Sequence, residues 1–93
     1  MAMTPELKAR WIVALRSGEY TQGRNALNPA TNCYCCLGVL CIVLKRPDLL
    51  LLSYEHLRKA SGLTISETDG CVDLNDVAQL SFNQIADYIE VYL

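Results

Sequence analysis

Ninety-three residues, 52% of them hydrophobic and only 19% charged, supply enough apolar material for one core and too little charge for a disordered chain. The uncharged run Cys33–Leu44 is twelve residues long, short of the roughly twenty a membrane-spanning helix needs, and the N-terminus shows no signal-peptide pattern. A net charge of −2, with no concentrated basic stretch, speaks against general nucleic-acid binding, which is dominated by phosphate contacts. The expectation is a single domain over 1–93, cytoplasmic, with no membrane contact.

Thr4-Pro5-Glu6 reads as a helix start: a hydroxyl N-cap, proline in the first turn and an acid facing the helix dipole. Leu7, Trp11, Ala14 and Leu15 then recur on one face, and Gly18 is placed to end the helix in a left-handed conformation. Residues 19–32 form one long irregular segment, of a length that in a small domain is more often functional than accidental. A short strand at Cys33–Tyr34 leads into a buried helix from about Cys35 to Lys45, stopped by Pro47, with Gly38 at its closest packing contact. Asp48–Leu52 is either a first turn or a connection. Ser53 opens a short helix from Tyr54 to about Ser61, and Gly62 ends it. Thr64–Glu67 and Cys71–Leu74 flank Thr68-Asp69-Gly70, and alternation around Asp-Gly predicts a β-hairpin. In the last helix Ser81 and Gln84 form a capping box, and Phe82, Ile85, Ala86, Ile89 and Leu93 face inward. The fold class expected is mainly α (α+β): about four helices around a central cysteine-rich helix, with one small hairpin.

Four of the five cysteines fall in the run Cys33–Leu44. An odd count without a secretory signal predicts reduced thiols rather than a disulfide framework. Cys33, Cys35, Cys36 and Cys41, with His56 and Cys71, hold possible zinc ligands, but no second paired knuckle accompanies Cys33-x-x-Cys36. Buried packing is the favoured role, since reduced cysteine behaves as a small hydrophobe. A cysteine enzyme would use Cys35 or Cys36 at the helix N-terminus, His56 as base and Asn75 or Asp76 to orient it. A calcium loop on Glu67, Asp69, Asp73 and Asp76 fails in register, because Ile65 would fall at the first ligand position. No cofactor and no metal are expected.

Charge is unevenly placed. Residues 1–24 carry Lys8, Arg10, Arg16 and Arg24 against Glu6 and Glu19, whereas residues 64–93 carry six acids and no basic residue. Arg16, Tyr20, Gln22 and Arg24 group at the end of the first helix and in the segment after it, where arginine forks and a tyrosine ring suit an anionic, aromatic ligand. The alternative use of the same residues is internal, with Tyr20 covering the core edge and the arginines pairing with the acidic C-terminal region.

Three blocks carry a resemblance: Leu7–Trp11 leading to Leu15–Arg24; Cys35-Cys36-Leu37-Gly38-Val39-Leu40-Cys41; and Leu74-Asn75-Asp76 followed by Leu80-Ser81-Phe82 and Ile85-Ala86-Asp87. In these the chain resembles a family of small, largely uncharacterised phage and prophage proteins. The resemblance implies a virus-encoded accessory protein and brings no catalytic residues with it. The function expected is non-enzymatic binding in the host cytoplasm that counters host defence, with Arg16, Tyr20, Gln22 and Arg24 holding a small anionic, nucleotide-type ligand. A rival expectation is masking of a host defence protein by the acidic face Glu67, Asp69, Asp73 and Asp76. A third is the small cysteine enzyme. The opposite charges of the two ends predict a homo-oligomer.

Overall fold

The computed structural model describes residues 3–24, 27 and 33–93. Helix α1 (Pro5–Arg16) begins as the sequence predicts, with the Thr4 hydroxyl accepting from the Leu7 N–H and Pro5 in the first turn. Gly18 follows at φ 77°, backbone that costs an L side chain but not glycine. Trp11 and Leu15 are the buried residues of α1. The Trp11 indole N–H also donates to the Cys36 carbonyl at 2.9 Å, which satisfies a buried donor and fastens α1 to the start of the next helix.

Two short strands follow. β1 (Thr21–Gln22) pairs in parallel with β2 (Cys33–Tyr34), placing Thr21 opposite Cys33 and Gln22 opposite Tyr34. The expected strand at 33–34 is therefore present, and its partner comes from the segment read as irregular. Residues 25, 26 and 28–32 of that segment lie outside the described residues.

Helix α2 (Cys36–Val43) is the cysteine helix, and every residue from Cys35 to Cys41 is buried. A Cβ on Gly38 would collide with the Leu27 carbonyl oxygen and lie 3.2 Å from the Tyr34 Cβ. The ~1 kcal/mol that glycine costs inside a helix is offset here by letting backbone approach backbone. The close neighbour is thus the loop at Leu27. The stretch left open as a turn or a connection is a 3-10 turn, Pro47–Leu51, that buries Leu49, and α3 (Tyr54–Ser61) ends at Gly62 with φ 86°, as expected.

The hairpin expected around Asp69-Gly70 is not there. Residues Ile65–Val72 form helix α4, which runs on through a π-helical turn, Asp73–Val77. The reason is local. Thr64 accepts from the Glu67 N–H while the Glu67 carboxylate accepts from the Thr64 N–H, a capping box that satisfies donors at a helix start. Thr68, Cys71 and Asn75 then fall on one buried face at helical spacing. Gly70 sits within that helix, on the side toward the Tyr88 hydroxyl. Helix α5 (Phe82–Tyr92) opens with the expected Ser81–Gln84 box and buries Phe82, Ile85, Ala86 and Ile89.

Among the described residues there are five α-helices, one more than the four expected, and the small sheet is parallel. The mainly α class stands. α1 packs chiefly on α5 and also on α2, and α2 touches α4 and the 3-10 turn, so the cysteine helix carries α1, α4 and the turn while α5 rests chiefly on α1. No described helix is long and apolar enough to cross a membrane.

Candidate functional site

The four residues expected to hold a ligand are drawn to different internal partners. Arg16 reaches α5, with its guanidinium 2.8 Å from Asp87 and 3.1 Å from Glu90. Tyr20 meets the Tyr34 ring edge-to-face at 5.8 Å between centroids. Gln22 and Arg24 converge on the π turn. The Gln22 amide donates to Asn75 Oδ1 at 2.9 Å and to the Leu80 carbonyl at 2.7 Å. Arg24 donates to the carbonyls of Asn75 and Gln79 at 3.0 and 3.3 Å, placing a cation at the C-terminal end of a helix, where the dipole favours it.

Asn75 is the centre of this arrangement and is fully buried. Its Oδ1 accepts from Gln22 and from the Cys36 N–H at 3.3 Å. Its Nδ2 donates to the Gly23 carbonyl at 2.9 Å and to Asp76 Oδ1 at 2.8 Å. One side chain therefore joins β1, the first turn of α2 and the π turn with all its donors and acceptors used. In the sequence Asn75 stands out only as a residue that could orient a catalytic histidine and as part of the Leu74-Asn75-Asp76 block. A buried amide on the inner face of α4 was concealed by the hairpin assignment.

The cysteines have the environment of packing groups. Burial pushes the Cys35 thiol up to about 11 and the Cys41 thiol up to about 12. Cys36 is held well above the ordinary thiol range, first by hydrogen bonding with Cys71 and then by burial; its Sγ also lies 3.5 Å from the Cys71 carbonyl. Such thiols are protonated at neutral pH, and the thiolate is the nucleophile. Exposed His56 turns its Nδ1 to the Ser53 hydroxyl at 3.0 Å. Among the described residues no three His, Cys, Asp or Glu side chains gather to hold a metal ion.

An open concave surface lies elsewhere, between α1 and the C-terminal end of α2. A groove of about 480 Å³ is walled by Val13, Ala14, Ile42 and Val43 and flanked by Arg10 and Lys45, with Glu19 at one end. Arg10 donates to the Val43 carbonyl at 2.7 Å, which holds the guanidinium at the rim with further N–H groups to offer. Lys45 reaches the same rim from a left-handed backbone, φ 59°, at the turn that ends α2. A second cavity of about 370 Å³, touching Leu7, Leu44, Lys59 and Gly62, shares Arg10 with the first. In the sequence Arg10 belongs to the basic end and to no candidate site. Its signal was the position of Arg10 and Val13 on the face of α1 away from Trp11.

The fold and the groove define a small helical domain built around one apolar helix, with a cation-flanked recess on its surface. A family model described as Domain of unknown function (DUF8296) matches residues 3–64, from the approach to α1 through to the Thr64 cap of α4, and the chain belongs to that family. Comparison with curated proteins and with solved structures gives no match.

Proposed function

We propose that this is a phage-encoded accessory binding protein that acts in the host cytoplasm, sequestering a small anionic, nucleotide-type ligand and so blunting a host defence signal. The observation that carries the reading is the groove beside α1, where apolar walls stand between two cations. A flat ring would lie on Val13, Ala14 and Val43, and phosphate oxygens would meet the Arg10 fork and the Lys45 ammonium. Recesses with apolar walls and a few fixed polar groups are the usual form of small-ligand sites. Arg16, Gln22 and Arg24 then act one step back, by fixing the end of α1 and the strand after it, and Ser17 and Glu19 carry that support into the groove wall. A thermal-shift screen against nucleoside mono-, di- and triphosphates and cyclic dinucleotides tests the reading. A stabilising ligand whose effect disappears in Val13→Asp and Lys45→Gln supports it, and no shift with any of these anions sinks it.

A second reading, that the chain masks a basic surface of a host protein, draws on α4. Asp69 and Asp73 are exposed there between the exposed Ile65 and Val77. It requires a basic host protein to co-purify with the wild type and to be lost from Asp69→Asn/Asp73→Asn.

A further inference from the structure

Two cavities lie along α1 on either side of Arg10, one lined as far as Thr4 and the other as far as Glu19; the pair of them is called the trough below. Its cations are Arg10, Lys45 and Lys59; the acids beside it are Glu19 and Glu55, which sits 3.6 Å from Lys59. Val13 stands at the trough with 68% of its surface exposed. On α4 and its π turn, Ile65, Asp69, Asp73 and Val77 recur every fourth residue and are all exposed, Ile65 at 63% and Val77 at 76%. The buried residues Thr68, Cys71 and Asn75 hold the other side of that helix to the core. The outward face is thus apolar at both ends and acidic between, and no lysine or arginine occurs from residue 64 onward. The two features also match in length. At ~1.5 Å per residue α1 is about 18 Å long and the run 65–77 about 20 Å.

We infer that the trough along α1 receives the Ile65–Val77 face of a second copy of this chain. Asp69 and Asp73 lie against Arg10 and Lys45, and Ile65 and Val77 cover apolar surface on either side, including Val13. Groove and acidic face are different patches, so the contact is heterologous and each copy keeps one of each available for the next. The proposal goes beyond the small-ligand reading and stands without it, because no ligand takes part.

The experiment is light scattering coupled to size-exclusion chromatography on the full chain, across a concentration series at low and high salt. The expected result is a mass that rises above the monomer with concentration at low salt and falls back as salt shortens the reach of exposed charges. Two variants, each checked for native helix content by circular dichroism, locate the contact. Asp69→Asn/Asp73→Asn discharges the acidic face, and Val13→Asp/Lys45→Glu blocks the trough. Each alone stays monomeric, whereas an equimolar mixture gives a one-to-one pair that does not grow, formed by the trough of the first and the acidic face of the second. A wild type that is monomeric throughout, or self-association that persists in either variant alone, overturns the proposal. Neither outcome touches nucleotide binding by the monomer, so the two readings fail separately.

Discussion

Replacing Asn75 with alanine tests whether one buried amide holds the strand, the cysteine helix and the π turn together. The substitution leaves Gln22 with its bond to the Leu80 carbonyl, so that group keeps a partner. It leaves the buried Cys36 N–H and the Gly23 carbonyl without theirs. An unsatisfied buried polar group costs about 1–3 kcal/mol. Gly23 is only part-buried and water can recover some of its share, so the expected loss is about 2–4 kcal/mol. Against the 5–15 kcal/mol typical of a domain, and at roughly 4–8 °C per kcal/mol for a chain of this size, the melting temperature falls on the order of 10–30 °C. Urea and thermal unfolding followed by circular dichroism give both numbers. Asn75→Asp adds a directional control. It keeps the acceptor but turns an oxygen toward the Gly23 carbonyl and Asp76 Oδ1, where the amide had donated. The aspartate variant therefore gains on the wild type as pH falls and its carboxyl takes up a proton. A loss below about 1 kcal/mol for the alanine variant, on the same scale of an unmet hydrogen bond, would refute the reasoning, since the network would then be ornamental.

Gly38→Ala forces the Leu27 carbonyl to move; overpacking of about 1–3 kcal/mol outweighs the ~1 kcal/mol gained in helix propensity, and urea unfolding shows a net loss of stability. Lys45→Gly relieves a left-handed side-chain-bearing residue at φ 59°, so its melting temperature rises, by about 1 kcal/mol in stability terms, while nucleotide shifts and self-association both weaken. Alkaline unfolding follows from the buried thiols. Cys35 holds its proton in the folded state up to about 11 but releases it near 9 when unfolded, so folding is favoured below pH 9 and this contribution is lost between 9 and 11, at about 1.4 kcal/mol per pH unit; the Cys35→Ala variant shows a shallower decline in that window. Titration with an aromatic disulfide reagent reaches Cys33, the one half-buried cysteine, in the native protein, and all five thiols after denaturation. Rapid native reaction of Cys35 or Cys36 would reopen a catalytic role for them.

The elements legible in the sequence are those whose ends carry their own chemistry. Thr4-Pro5, Gly62 and the Ser81–Gln84 box each fix a helix boundary through bonds within a few residues, whereas Ser53 stands at the N-cap of α3 with its hydroxyl on the His56 ring and not on the helix backbone; all four boundaries fall where the sequence places them. Gly38 is legible for a related reason: glycine inside an apolar helix makes sense only if something comes very close. The hairpin at Asp69-Gly70 shows where local signals compete. The same stretch holds a hairpin-like Asp-Gly and a capping box at Thr64-Glu67. The box prevails because the helix it starts buries Cys71 and Asn75 against α2 and β1, partners more than thirty residues away in sequence. Alternation around a dipeptide records no such partners.

The proposed ligand site is harder to read because a guanidinium looks the same in sequence whether it awaits an anion or already holds a carbonyl. Arg16, Arg24 and Gln22 do group near one another, but their hydrogen-bond partners lie 51 to 74 residues further on, at Asn75, Gln79, Leu80, Asp87 and Glu90. The acidic, base-free C-terminal third supplies part of that pairing, so the charge asymmetry of the chain serves the fold before it serves any partner. What the fold leaves over is informative by the same reasoning. Arg10 spends one donor on Val43, Lys45 occupies a strained backbone position that glycine would fill more comfortably, and both end at the rim of one apolar groove. On the proposals above, a cation at a position where stability alone would choose glycine acts through what it contacts outside the chain. That explanation is what Lys45→Gly puts to the test, by setting a gain in melting temperature against a loss in binding.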